Sequence, residues 1–226
     1  MEELLGRTLV LRIDGESISD GTTFYEDIAF LAARQVRPIV VAPDVEMARS
    51  VVRRMNRTSE MAVGLSGADA GMIPAASQQT LGSVQIRLLT TLMNAGYVPV
   101  IEPTAIGIAG ADVEVAADDV ASAIASATAA ARALFFHESG GVVDALTAAL
   151  IDELTPAEAL TIAESEELPE GLRSAIRAAA QGVRRGVNAA QILDGRIAHA
   201  AIVEFLTARH LGTQVAGTVL IASAPQ

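Results

Sequence analysis

Lysine does not occur in the 226-residue chain, and neither do cysteine and tryptophan; all 16 basic residues are arginine. No side-chain ammonium is therefore available to form a Schiff base or to meet a phosphate as a compact charge. Without cysteine there are no disulfides and no thiolate metal ligands, a composition compatible with a reducing cytoplasm, where the protein is expected. Positive charge is scarce overall: the net charge is -11 and the isoelectric point about 4.7. Such a surface repels phosphate backbones and anionic lipid, so nucleic-acid and membrane-surface partners are not expected. An anionic ligand would need a local basic pocket. A long uninterrupted apolar run is also missing. The Ala-rich stretch from Ala116 to Phe136 is broken by Asp118, Asp119 and Arg132, leaving too few uncharged residues to cross roughly 30 Å of hydrocarbon. The first residues, MEELLGRTLVLRI, carry no basic n-region or long h-region, so secretion is not expected.

What is present is a large apolar fraction, 51%, enough to bury one sizeable core. Apolar runs alternate with helical periodicity. Leu9 to Ile13, Pro38 to Ala42, Met61 to Leu65, Tyr97 to Ile101, Ala133 to Phe136 and Ala190 to Leu193 read as buried strands. Between them, Phe24 to Gln35, Val45 to Met55, Ile86 to Asn94, Leu172 to Arg185 and His199 to Thr207 read as helices. Gly96 and Gly186 stand where C-caps belong, and Thr213 to Ala216 is a last extended segment. Thr155-Pro156-Ala157-Glu158 has the spacing of a capping box with proline at N1. Ser66 to Gly82 and Glu164 to Glu170 are expected to be irregular, and residues 110 to 115 a loop leading into the Ala-rich helix. Alternating strands and helices predict an α/β fold with a mostly parallel sheet.

Several phrases then fall in order along nearly the whole chain: VGLSGADAGMI from Val63, LLTTLMNAGYVPVIEP, VAADDVASAIA, GVVD, LTPAEA and AAQILDGRIAHAAIVEFLT followed by LGTQV. Together they resemble the amino-acid kinase family, in particular its N-acetylglutamate kinase branch. The resemblance implies an open αβα sandwich with a mostly parallel sheet of about eight strands. It also implies one domain over residues 1–226, with an N-terminal lobe to about residue 110 on the substrate side and a C-terminal lobe from about 111 on the nucleotide side. ATP and Mg²⁺ would be the cofactors, and a carboxylate would receive the γ-phosphoryl group. That reaction asks the protein mainly for positioning and charge neutralisation.

The family's phosphate-handling residues are altered in this chain. The family lysine at the end of the first strand corresponds to Arg12, and the adjacent Gly-Gly turn to Asp14-Gly15. The His-Gly-Gly-Gly turn corresponds to Ala42-Pro43-Asp44-Val45, where proline has no amide hydrogen and Asp44 repels phosphate. Of the family phrase Asn-Val-Asn-Ala-Asp, the chain keeps the Asp of Glu114-Val115-Ala116-Ala117-Asp118. Alternatively, Asp118 is a carboxylate favoured by a helix dipole. The second family lysine corresponds to Ala175 in Glu170-Gly171-Leu172-Arg173-Ser174-Ala175. Arg173 and Arg177 are the nearest replacements, although at helical spacing they point well away from Ala175.

By this resemblance Arg12 and Asp118 are the candidate catalytic pair. Gly15, Asp44 and Glu114 fall on the substrate side, and Glu138, Gly141 and Arg173 on the nucleotide side. Arg53, Arg54 and Arg57 are candidates for gripping a substrate carboxylate, against the simpler reading of a solvated helix face. His137, His199 and His210 have no metal-ligand spacing, and no metal site is expected. Ser66 lacks a hydrolase elbow.

Two readings follow. In the first, the chain is a non-catalytic or weakly active member of the fold that binds a nucleotide, a small acidic metabolite or a partner subunit. In the second, it is an ATP-dependent kinase acting on an N-acylated amino acid with arginines in place of lysines. A homodimer is expected from the resemblance, with a hetero-oligomer as the alternative; a hexamer is not, because few residues precede the first strand.

Overall fold

The computed structural model describes residues 4–15, 18, 23–77, 80–206 and 211–217. His210 lies outside the described residues. Eight strands form one continuous sheet: β1 (Thr8–Arg12), β2 (Arg37–Val41), β3 (Ala62–Leu65), β4 (Val98–Ile101), β7 (Arg132–Phe136), β8 (Glu153–Leu154), β9 (Ala189–Leu193) and β10 (Thr213–Ala216). Their order is β3-β4-β2-β1-β7-β9-β10-β8. From β3 to β9 every pairing is parallel, and β10 alone runs antiparallel to β9.

The apolar strand runs are explained by helices on both faces. Val10, Ile39, Val41, Phe135, Ala190 and Ile192 face one core. There they meet α3 (Arg87–Asn94), α4 (Ala117–Ala127), α5 (Pro156–Ile162) and α6 (Glu170–Arg184). Their neighbours Leu9, Leu11, Val40, Leu134, Phe136 and Leu193 face the opposite core. That core is closed by α1 (Phe24–Ala33), α2 (Val45–Met55) and α7 (Ala200–Leu206). The result is the αβα sandwich that the family resemblance implies. The small residues of α4 let it lie deep in the first core: Ala121, Ile124 and Ala125 are fully buried.

Helix boundaries follow local chemistry. Thr155 accepts from the Glu158 amide and the Glu158 carboxylate reaches back to the Thr155 amide, with Pro156 at the first helical position, so the capping box forms as the spacing predicts. Gln35 adopts φ +62° and turns the chain, so α1 ends before it. Glu170 begins α6 two residues earlier than expected, directly after Pro169. Residues 110 to 115 are not wholly a loop. Asp112–Glu114 is a strand, β6, paired antiparallel with β5 (Thr104–Ile106) as a small separate hairpin. Three-residue strands closed by Gly110 at φ +80° carry too short a pattern to show in the sequence. Among the described residues no helix is long and apolar enough to cross a membrane.

Candidate functional site

After β1 the chain moves to β2 on one side and, much later, places β7 on the other. The sheet thus changes its direction of growth between β1 and β7. In open parallel sheets the crevice outside the carboxyl ends of the strands at such a point is where ligands bind. Here those ends carry Arg12, Asp14 and Gly15 after β1, His137 to Gly141 after β7, and Asp194 to Arg196 after β9.

Arg12 and Asp118 meet at this edge. The guanidinium Nε lies 2.6 Å from the Asp118 carboxylate, with the side chains 16% and 6% exposed. Nη1 of Arg12 also donates to the Ile13 carbonyl at 3.2 Å. Asp118 is the second residue of α4, where the helix dipole also favours a carboxylate. The charge of Arg12 therefore already has a counter-ion.

The other residues singled out from the sequence are spread around this edge. Gly15 lies against α2, where a β-carbon would sit 3.4 Å from Met47, an ordinary contact. Asp44 is the N-cap of α2, and its carboxylate accepts from the Met47 amide at 2.7 Å. Glu114 ends β6 opposite Thr104 and is exposed. Glu138 is exposed, and its carbonyl accepts from Arg196 at 2.6 Å. Gly141 has φ +142°, and a β-carbon there would stand 2.7 Å from Leu150 and 2.8 Å from the Thr213 hydroxyl, so this glycine is required by packing. Arg173 pairs with Glu170 one turn away on α6. Ala175 is 3% exposed and packs into the first core. Arg177 sits near Asp119 on α4, whose carboxyl is raised by burial and by Asp118, with Arg177 and Arg185 opposing.

The arginines of α2 divide between two depressions. Arg49 and Arg53 line one of about 410 Å³ beside Ser66, Asp69 and Glu102, at the carboxyl ends of β3 and β4. Arg54 and Arg57 line another between α1 and α2, where Arg54 stands 5.6 Å from the Tyr25 ring centre. Of the three arginines singled out, Arg53 is thus the one at the carboxyl ends of β3 and β4, together with Arg49.

Sequence reasoning passed over Arg196. Its guanidinium holds Asp194 through both Nε and Nη2, at 2.9 and 2.8 Å, and its side chain remains 51% exposed. Burial pushes Asp194 up, but the bonds and charge of Arg196 outweigh this and hold the carboxyl below its ordinary range. Asp194 in turn raises Arg196, with smaller contributions from Glu138 and Asp14. The signal was the arginine directly after the Asp194-Gly195 turn.

Comparison with known proteins agrees with this architecture. Residues 44–194 match the model of the amino acid kinase family. The chain belongs to that family. An acetylglutamate kinase of Gluconacetobacter diazotrophicus is 34% identical over 215 residues, covering 87% of this chain and 68% of the relative. Among solved structures, N-acetylglutamate synthase from Neisseria gonorrhoeae, complexed with coenzyme A and N-acetyl-glutamate, superposes with a TM-score of 0.80 at 19% identity. That match covers 95% of this chain but 60% of the synthase chain. Carbamate kinase from Giardia lamblia, bound to AMP-PNP, gives 0.67 at 12% identity, covering 94% of this chain and 99% of the kinase. At these identities the structural likenesses concern the fold. Within the amino acid kinase fold, this chain places Arg12 and Asp118 together but buries Ala175.

Proposed function

We propose that this amino acid kinase family member is non-catalytic or weakly active, binding a nucleotide, a small acidic metabolite or a partner subunit. The observation that carries this reading is the buried Ala175: no cation projects from the turn of α6 that corresponds to the family's second lysine. The remaining cation at the end of β1, Arg12, stands 2.6 Å from Asp118 of the same chain. The engagement of Asp44 as a helix cap gives further support, since a carboxylate stands at the end of β2 where bare amides would serve an anion. Removing one positioned donor from a transition-state clamp typically costs about 3 to 4 kcal/mol, or a hundred- to thousand-fold in rate. Here more than one is altered, although losses within one cluster do not simply add.

In this reading the nucleotide lies on the side of residues 111–226, near Glu138, Gly141 and the start of α6. The acidic ligand lies on the side of residues 1–110, where Arg49 and Arg53 are spaced one helical turn apart to hold a carboxylate. Among the described residues no three histidines or carboxylates cluster as a metal cage. Mg²⁺ would therefore be carried chiefly by phosphate oxygens and water, supplying charge neutralisation when bound. A homodimer belongs to the same proposal; a scattering mass of one chain at micromolar concentration would overturn it.

A second reading, an active kinase of N-acylated amino acids working through arginines, is favoured by one observation. Arg196 keeps half its side chain exposed at the same edge as Arg12. Calorimetry with ATP and Mg²⁺, alone and with N-acetylglutamate, followed by hydroxylamine trapping of acyl phosphate, separates the two. Binding heat without hydroxamate is expected; abundant hydroxamate would establish the second reading.

A further inference from the structure

We infer that the cavity at the amino ends of β2 and β4 binds a small organic carboxylate, with Arg37 as its cation and an apolar floor for the rest of the molecule. The pairing of β2 with β4 begins at Val40 opposite Val100. Pro38, two residues earlier, has no amide hydrogen with which to extend it. Toward their amino ends the two strands therefore part, and a cavity of about 440 Å³ opens there, a size suited to a small-molecule ligand. Val36, Pro38, Met93 and Val98 supply its apolar lining, and Gln35, Arg37, Asn94 and Tyr97 its polar groups. Val36 and Val98 are buried in the core, so the floor is part of the rigid frame.

Charge selects the ligand. The chain carries 27 acidic residues, yet among the described residues none lines this cavity. Arg37 is half-buried, and among the described residues its guanidinium makes no ion pair or hydrogen bond. Arg7 directly precedes β1 and Arg132 opens β7; the register sets Thr8 opposite Arg37 and Leu9 opposite Arg132. Arginines thus stand at the amino ends of three neighbouring strands, while Asp14, Asp44, Glu138 and Asp194 follow the carboxyl ends. A planar guanidinium fork matches the two oxygens of a carboxylate. Part of the negative charge at the ends of α1 and α3 is taken up inside the fold. Gln35, at φ +62°, and Gly96, at φ +85°, each turn the chain after a helix. The amides that follow, of Val36 and Tyr97, return to the Leu31 and Leu92 carbonyls. Glycine suits such a turn, whereas Gln35 bears strain there and brings a carboxamide to the cavity.

The length of β2, about 16 Å, separates this cavity from the edge that carries Arg12 and Asp118, so the inference stands apart from the nucleotide reading. Sodium 4-phenylbutyrate, its neutral amide and inorganic phosphate are titrated into the whole chain, with backbone amide chemical shifts as the readout. Arg37→Met removes the charge, and with no partner to lose it should melt near the unaltered chain. Gln35→Gly removes the carboxamide and relieves the positive φ, so its melting temperature should rise while its binding falls. A hydrogen bond to a charged group accounts for roughly 10- to 100-fold in affinity. Phenylbutyrate is expected to shift the amides of Gln35, Val36, Arg37, Tyr97 and Val98 at millimolar concentration. Arg37→Met should weaken it by about that factor, while the neutral amide should bind both chains equally weakly. Unchanged phenylbutyrate binding by Arg37→Met, no shifts at these amides, or shifts confined to the Arg12 edge would overturn the inference. Phosphate binding as tightly as phenylbutyrate would overturn the carboxylate assignment.

Discussion

Replacing Asp118 by alanine tests whether Arg12 is held by its own chain or kept free for a ligand. The pair is short, 2.6 Å, and mostly buried. Taking away one member of a buried pair costs about 3 to 5 kcal/mol, because the remaining charge is left in a poorly solvated place. Arg12 keeps 16% of its side chain in solvent and one bond to the Ile13 carbonyl, so the lower figure, about 3 kcal/mol, applies. For a chain of this size that lowers the melting temperature by about 6 to 12 °C. Exchanging both members, Arg12→Met with Asp118→Leu, is expected to be far milder, because apolar replacement of a whole buried pair is often close to neutral. Urea denaturation of Arg12→Met, Asp118→Leu and the double variant closes a thermodynamic cycle with an expected coupling of about 2 kcal/mol. A coupling near zero, with Asp118→Ala no worse than an exposed-site change, would refute the reasoning and return Arg12 to the ligand.

The remaining predictions concern the frame and the edge of the site. Gly141→Ala forces a β-carbon against Leu150 and Thr213 at an unfavourable φ and should cost about 3 kcal/mol or more, visible as a lowered urea midpoint. Thr155→Ala removes one half of the capping box and should cost about 1 kcal/mol. The folded chain binds the Asp194 proton less readily than the unfolded chain, since the hydrogen bonds and charge of Arg196 outweigh the effect of burial. The stability from this group is therefore present above about pH 4 and lost as pH falls through the lowered pKa. Arg196→Met should flatten that acid limb in pH-dependent melting.

Much of the frame was readable because local and global signals coincide. Val45–Met55 occupies the span its periodicity predicts, and the Thr155 box caps its helix. The site was less readable. Asp44 reads as an anion-repelling turn residue, yet Asp before Val45-Glu46-Met47 is also an N-cap pattern, and that is the bond it makes. Gly141 resembles a ligand-facing glycine, but its reason lies 9 and 72 residues away, in Leu150 and Thr213, which only tertiary packing brings to it. Arg196 escaped notice because its partners, Asp194 and the Glu138 carbonyl, are on two different strand ends.

The most direct test of the central claim, that an edge with a buried alanine at the α6 turn in place of a cation transfers phosphoryl groups poorly, is a rapid-quench measurement with γ-labelled ATP, Mg²⁺ and N-acetylglutamate at saturation. Transfer well below about 1 s⁻¹ is predicted. A rate in the ordinary enzyme range of about 1 to 1,000 s⁻¹ would contradict the account.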